Sequence, residues 1–298
     1  MKFLAIELAA IILFMFGMRE AAKNGRARIL EFVMIFFYGI ILEELDMRFF
    51  KSYRYSANFF LSIGRVPVCI AFLWAVILAG CMAISDSLGI PETAKPFLDA
   101  LLAVWIDLSV DAIAIRMDFW SWAIPRNQGW FGVPAGNLYA WMWVAFFYSV
   151  FARAVRILAA KDRRWVWAYF AVPFFSYAGL FAQINLLGFA GKLFGLSSQK
   201  GRLVLFAVQF FIFCFIVGLS SPQVLSGDPR LGPRLKISGM TEDAGFWMAG
   251  RFIIHFYFLI CFFLFGIYRE TPLLGPVAVL ILAGEIFLAM MLPKRNIA

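Results

Sequence analysis

The chain has 298 residues, of which 63% are hydrophobic and 15% are charged, and its formal net charge is +9. Apolar stretches long enough to cross a bilayer recur along the whole sequence, which excludes an ordinary soluble domain because such a domain has no interior for so much apolar surface. The excess of Lys and Arg lies between these stretches, where it faces anionic lipid headgroups. No nucleic-acid partner is therefore indicated.

The apolar stretches predict an all-α integral membrane protein, a polytopic bundle of eight or nine transmembrane helices in the cell membrane. No internal repeat and no domain boundary is visible, so residues 1–298 are expected to form a single transmembrane helical domain. The first stretch is expected to be a retained span, since Glu7 interrupts its apolar run. The predicted spans cover residues 3–18, 29–46, 63–84, a fourth from about 97, then 138–159, 165–188, 202–219, 251–268 and 272–292.

Two of the segments between spans have distinctive compositions. Residues 47–62 mix aromatic with basic side chains, which is typical of a segment that lies along the lipid headgroups. Residues 220–250 are rich in proline and glycine and predict irregular structure.

The fourth span differs from the others because it carries several aspartates. At about 100° per residue, Asp107, Asp111 and Asp118 share one helix face, while Arg116 points to the opposite one. A carboxylate in the middle of a membrane costs on the order of 3 kcal/mol, so such acids indicate a partner, a water-filled cavity or a substrate. Asp107 and Asp111 are one turn apart, about 6 Å along the axis, and two carboxyls that close can act as acid and base. The alternative is that they form interhelical hydrogen bonds or ion pairs.

The segment that follows this helix is dense in tryptophan, glycine and proline. Most of these tryptophans are expected at the membrane interface; alternatively, they line a slot for a long hydrocarbon, where their ring faces stabilise a carbocation. Glycine and proline at 132–136 then shape a non-helical re-entrant turn, whose backbone must be satisfied by protein or a cavity. Residues 97–141 are thus the expected active-site helix and Trp/Gly/Pro turn. The candidate substrate-binding residues are Trp120, Trp122, Trp130, Asn137 and Trp141.

The sequence offers little for metal or nucleotide chemistry. His255 is its single histidine, whereas membrane enzymes that use iron need clusters of imidazole ligands. No glycine-rich phosphate loop is present. We therefore expect no metal and no cofactor, and we expect His255 to be a hydrogen-bonded residue inside the membrane.

Several short motifs together resemble the membrane carotenoid biosynthesis proteins, a family that includes acyclic carotenoid hydratases of bacteria and archaea. The resemblance covers about residues 40–150, and the second half of the chain contributes only its hydropathy. The residues that carry it are Tyr53-Arg-Tyr55, Val66-Pro-Val68, Trp74, Asp107-Leu-Ser-Val-Asp111, Phe119-Trp-Ser-Trp122 and Trp130-Phe-Gly-Val-Pro134-Ala-Gly-Asn137-Leu-Tyr-Ala-Trp141.

The resemblance implies a hydratase of the lyase class, which adds water to a terminal double bond of an acyclic carotenoid without a cofactor. Asp107 or Asp111 is then the acid and the other the base, and Glu43 and Glu44 are second candidates for the acid. Two alternatives stay open: a lycopene-type carotenoid cyclase, suggested by the adjacent glutamates, and a non-catalytic isoprenoid-binding membrane protein. The expected partners are the lipid bilayer, a long acyclic isoprenoid or carotenoid, and other enzymes of the carotenoid pathway.

Overall fold

The computed structural model describes residues 1–220 and 244–292, and most of these residues are helical. This confirms the all-α class, with two small two-stranded sheets added. The helices are α1 (Lys2–Lys23), α2 (Arg26–Phe49), α3 (Val68–Ser87), α4 (Lys95–Ala114), α5 (Ala135–Lys161), α6 (Val172–Leu193), α7 (Gln199–Leu219), α8 (Ala244–Leu264), the short α9 (Ile267–Glu270) and α10 (Leu274–Met291).

Six of the described helices are long and apolar enough to cross a membrane, namely α3, α5, α6, α7, α8 and α10. α1, α2 and α4 are equally long but carry more charged residues, as α4 does with Asp99, Asp107 and Asp111. The polytopic helical membrane fold is therefore supported, whereas the expected number of eight or nine spans is not established.

Several of the predicted boundaries were wrong. The third span does not begin at residue 63, because Ser62–Ile63 and Val66–Pro67 are strands and α3 starts only at Val68. The sixth span does not begin at residue 165, because Arg163–Phe170 forms a 3₁₀ helix and α6 starts only at Val172. The irregular segment predicted for 220–250 ends earlier than expected, since α8 is helical from Ala244 onwards. The rest of that predicted loop, residues 221–243, lies outside the described residues.

Helix α3 lies at the centre of the bundle, and almost all of its side chains are buried. Helices α1, α2, α4 and α8 pack around it, while α5 packs against α4, α6 and α7. Large apolar side chains on α6, α7 and α10 remain exposed, as expected for surfaces that face lipid.

A two-stranded antiparallel sheet covers one end of the bundle. Strand β1 (Tyr53–Tyr55) pairs with β4 (Trp120–Trp122), with Tyr53 opposite Trp122 and Tyr55 opposite Trp120. Because side chains alternate along a strand, these four aromatic side chains share one face, and Arg54 and Ser121 occupy the other. The segment 47–62, expected to lie along the headgroups, therefore contributes a strand to this sheet. A second small sheet joins β2 (Ser62–Ile63) to β3 (Val66–Pro67).

A tight turn leads from β4 into α5. Trp130 and Val133 exchange two backbone hydrogen bonds of 2.8 and 3.0 Å. Gly129 precedes them with φ +67°, and a Cβ atom there would lie 2.0 Å from the Val133 carbonyl oxygen. Only glycine fits this position. Gly132, one of the glycines expected to shape the turn, also has a positive φ of +91°, and a Cβ atom there would lie 3.0 Å from the Arg126 carbonyl oxygen.

The opposite end of helices α2–α5 holds a buried ion network. Arg156 donates to Glu31 (Nε to Oε2, 2.9 Å) and to Asp86 (Nη1 to Oδ2, 2.7 Å). Arg153 donates to Asp99 (Nη2 to Oδ2, 3.0 Å), and Arg28 to Glu31 at 2.7 Å. Every acid of this network thus has a cation beside it.

A smaller buried ion pair ties α8 to α10. Arg251 donates to Glu285 through Nε (2.8 Å) and to the Leu102 carbonyl of α4 (3.0 Å). His255 Nε2 lies 3.3 Å from Glu285 Oε1, so the single histidine makes the hydrogen-bonded contact expected of it.

Candidate active site

A cavity lies inside the bundle, beneath the β1–β4 sheet. Helices α2, α3, α4, α5 and α8 contribute most of its wall, and aliphatic and aromatic side chains dominate it. Its polar groups are four carboxyls, one amide, two tyrosine hydroxyls and four indole N–H groups: Glu43, Asp46, Asp107, Asp111, Asn137, Tyr53, Tyr55, Trp74, Trp120, Trp122 and Trp141.

The two mid-helix aspartates of α4 meet at one amide group. Asn137, in the first turn of α5, donates through Nδ2 to Asp107 Oδ2 at 2.9 Å and to Asp111 Oδ2 at 2.7 Å. Both aspartates are almost fully buried, with 1% and 2% of their surface exposed. Their spacing of one helical turn therefore places two carboxyls side by side at the cavity wall.

Strand β4 supplies further donors to one of these aspartates. The indole N–H groups of Trp120 and Trp122 donate to Asp111 Oδ1, at 2.6 and 3.2 Å. With Asn137, Asp111 accepts three hydrogen bonds, whereas Asp107 accepts one from the described residues. The two carboxyls are thus chemically unequal, because donors to a carboxyl favour its charged form.

Glu43 of α2 has a donor set of the same kind. It accepts hydrogen bonds from Trp74 Nε1 at 2.7 Å, from the Tyr55 hydroxyl at 2.7 Å, and from the Tyr53 hydroxyl. Burial raises the pKa of the Tyr53 and Tyr55 hydroxyls well above their usual value, so both keep their protons and act as donors. Strand β1 therefore serves Glu43 as β4 serves Asp111.

Aromatic rings form much of the remaining wall. Trp141 of α5 packs on Trp74 of α3, with ring centroids 4.2 Å apart. Tyr53 and Trp122 pack across the sheet at 4.8 Å. Tryptophan and tyrosine faces are electron-rich, so the wall offers favourable surfaces to a positive charge.

Among the described residues, acidic side chains line the cavity and basic side chains do not. No Arg, Lys or His lines it within residues 1–220 and 244–292. Within the same ranges, no three His, Cys, Asp or Glu side chains are arranged to hold a metal ion. Within these ranges, the hydrogen-bond donors to the cavity carboxyls are thus neutral N–H and O–H groups.

Three of the acids and aromatic residues singled out in the sequence lie outside the cavity. Glu44 is adjacent to Glu43 but turns away, and its Oε2 accepts from the Arg65 backbone N–H at 2.9 Å. Trp130 donates to the Leu108 carbonyl at 2.8 Å and does not line the cavity. Asp118 follows the helix in a left-handed conformation and is exposed, so it does not share the face of Asp107. The other candidate residues all line the cavity.

Sequence reasoning missed one acid altogether and gave no role to three neighbours. Asp46 lines the cavity and accepts a hydrogen bond from the Tyr177 hydroxyl at 3.2 Å. Its position three residues after Glu43 places it on the same helix face, which was a signal available from the sequence. Tyr53, Tyr55 and Trp74 entered only through the resemblance, because their contacts with Glu43 depend on the tertiary fold.

Comparison with known proteins identifies a matching family model. The family model described as carotenoid biosynthesis protein matches residues 1–197. No curated protein and no solved structure matches significantly. The matched range contains all four carboxyls of the cavity and every one of their donors, while α8 adds only apolar lining residues.

Proposed function

The chain belongs to the carotenoid biosynthesis protein family, and we propose that it adds water to a terminal double bond of an acyclic carotenoid. A role in carotenoid biosynthesis and an isoprenoid substrate follow from the family. We further propose that the reaction is hydration and that the protein lies in the cell membrane. The observation that carries it is the unequal pair of carboxyls, Asp107 and Asp111, in an apolar cavity walled by aromatic rings.

The first step is transfer of a proton from a carboxylic acid to the alkene. Asp107 is the better candidate for this acid because it accepts a single hydrogen bond from the described residues and is buried, both of which favour the neutral carboxyl. Its proton adds to the less substituted carbon of the terminal double bond, and the π electrons form the new C–H bond. A tertiary carbocation remains at the other carbon, and Asp107 is left as a carboxylate.

The second step is attack by water. The water oxygen forms the C–O bond at the tertiary carbon, and a carboxylate accepts the proton that water releases. Asp111 suits this role since its three donors stabilise its charged form and fix its orientation. The proton then returns from Asp111 to Asp107, which accepts a hydrogen bond from the same Asn137 amide. The cycle therefore consumes only water and alkene.

The aromatic wall stabilises the intermediate cation. Trp120, Trp122 and Trp141 line the cavity, and a cation over such a ring gains about 2 kcal/mol or more when desolvated. A hydrocarbon chain needs no polar contact along its length, which agrees with the aliphatic remainder of the lining.

Pigment analysis tests the proposal. The chain is expressed with a pathway that makes an acyclic carotenoid, and the extracted pigments are separated by chromatography and identified by mass spectrometry. Hydroxylated products that disappear with Asp107→Asn support hydration. Ring-bearing products would instead identify a cyclase, in which an internal double bond captures the same cation. Unchanged pigment with intact protein would favour a non-catalytic isoprenoid-binding protein.

A further inference from the structure

The cavity is lined by acidic side chains and, within the described residues, by no basic ones. This composition affects which ligands the cavity can bind. Elsewhere in the described bundle, two buried acids lie beside cations: Glu31 beside Arg156, and Glu285 beside Arg251. The cavity places four carboxyls around one space with no cation in its lining. Burial without a cation disfavours the charged form of these carboxyls, and a ligand that carries a positive charge would favour that form by pairing with them.

The hydrogen-bond donors around these carboxyls stabilise charge but do not neutralise it. Glu43 is held by two hydroxyls and one indole, and Asp111 by two indoles and one amide. All six donors are uncharged groups. A positive ligand therefore meets oriented carboxyl groups that no other cation of the described residues already pairs with.

The rest of the wall suits the body of such a ligand. Trp74 and Trp141 present closely packed, tilted rings, and the Tyr53 and Trp122 rings pack across the sheet above the carboxyls. Aromatic walls with acidic groups are the usual recognition surface for alkylated ammonium groups. The aliphatic lining of α3 and α8, such as Ile70 and Ile254, fits an attached hydrocarbon.

We propose that the cavity is a binding site for lipophilic ammonium compounds, that is, hydrocarbon chains that end in a trialkylated, positively charged nitrogen. The inference rests on the proposed function, because the ammonium group imitates the tertiary cation of the proposed reaction. It adds a ligand class of its own, which the protein binds without turnover.

A pair of isosteric probes tests the charge directly. One is a geranylgeranyl chain that ends in a trimethylammonium group, and the other is the same chain ending in a tert-butyl group, which has the same shape and no charge. The full chain is placed in nanodiscs of zwitterionic phosphatidylcholine, and binding is followed by quenching of tryptophan fluorescence. We expect the ammonium probe to bind at least about tenfold more tightly than its neutral isostere. Equal affinities would overturn the proposal.

Two variants locate the preference. Glu43→Gln combined with Asp111→Asn keeps the shape of the cavity and removes two carboxylates, so the preference for the ammonium probe should fall to less than about threefold. Glu44→Gln is the matched control, since Glu44 is adjacent in the sequence but lies outside the cavity, and it should retain the full preference. An unchanged preference in the double variant would contradict the assignment to this cavity. The wild-type comparison needs no variant and stands even if the double variant fails to fold.

The outcome is separable from that of the proposed function. Hydroxylated pigment without an ammonium preference would overturn this inference and leave hydration intact. An ammonium preference without hydroxylated pigment would support the cation site and count against hydration.

Discussion

Helices α2, α4 and α5 carry buried charged or polar groups at both ends, but the buried acids have different partners at the two ends. At one end Glu31, Asp86 and Asp99 contact Arg28, Arg153, Arg156 and Lys95, so each acid has a cation within ion-pair distance. At the other end Glu43, Asp107 and Asp111 contact only indole, hydroxyl and amide donors. The same residue types are therefore compensated in one region and left uncompensated in the other.

We expect the ion-paired acids to contribute to stability and the acids of the cavity to contribute to function. Ion pairs with several hydrogen bonds fix the packing of helices, and removing one partner leaves a buried charge behind. Acids surrounded by neutral donors do not contribute stability in this way, but they remain available for proton transfer and for a cationic intermediate. Substitutions in the two regions should thus have opposite consequences.

The largest effect on stability is expected in the ion network. Arg156→Leu leaves Glu31 and Asp86 without a major partner, so the free energy of unfolding should fall by about 3–5 kcal/mol. Thermal unfolding in detergent measures this. Arg163→Leu, at an exposed arginine just beyond α5, is the control and should unfold like the wild type. Equal unfolding temperatures of the two variants would contradict a stabilising role of the ion network.

The largest effect on activity is expected in the cavity. Asp107→Asn removes the transferable proton but keeps the shape, so formation of hydroxylated carotenoid should fall by at least about 100-fold. The same variant should unfold at the wild-type temperature or above, because it removes an acid that has no cation beside it. A loss of stability as large as that of Arg156→Leu would show that Asp107 belongs to the structural class of acids.

A smaller effect is expected from the indole donors. Trp120→Phe keeps an aromatic ring and removes the N–H that donates to Asp111 at 2.6 Å, so the turnover rate should fall by about tenfold. Trp130→Phe is the matched control, because its N–H donates to the Leu108 carbonyl outside the cavity, and it should change turnover by less than about twofold. Similar losses in both variants would indicate an effect of packing alone.

The smallest effect is expected at the sheet above Glu43. Tyr55→Phe removes one of three donors to this glutamate, and turnover should fall by about two- to fivefold, with the affinity for the ammonium probe reduced by a similar factor. Steady-state pigment analysis and fluorescence titration measure the two quantities. A change in turnover without any change in probe affinity would mean that Glu43 does not contribute to cation binding.

The part of the site that lies within one helix could be predicted from the sequence. The i, i+4 spacing of Asp107 and Asp111 placed them on one face, and the structure shows both at the cavity wall. The extension of this face to Asp118 failed because the helix ends at Ala114 and Asp118 follows in a left-handed conformation. Local periodicity holds only while the helix continues.

The remainder depends on contacts between distant segments. Tyr53 pairs with Trp122 across a sheet whose strands are separated in sequence by α3 and α4, and no local pattern specifies such a pairing. The choice between Glu43 and Glu44 is also tertiary, since adjacent helical residues differ by about 100° in direction and only one faces the cavity. Composition predicted the helical membrane fold, because apolar length is a property of each segment by itself.

An isotope experiment tests the central claim most directly. The chain is purified in nanodiscs and given an acyclic carotenoid in buffer made with ²H₂O and H₂¹⁸O under ordinary air, and the products are analysed by mass spectrometry. Acid-catalysed hydration in the cavity predicts one solvent ¹⁸O at the tertiary carbon and one ²H at the neighbouring carbon for each end that reacts, with neither label incorporated by Asp107→Asn. Hydroxyl oxygen derived from O₂, or full labelling in the Asp107→Asn variant, would contradict the account.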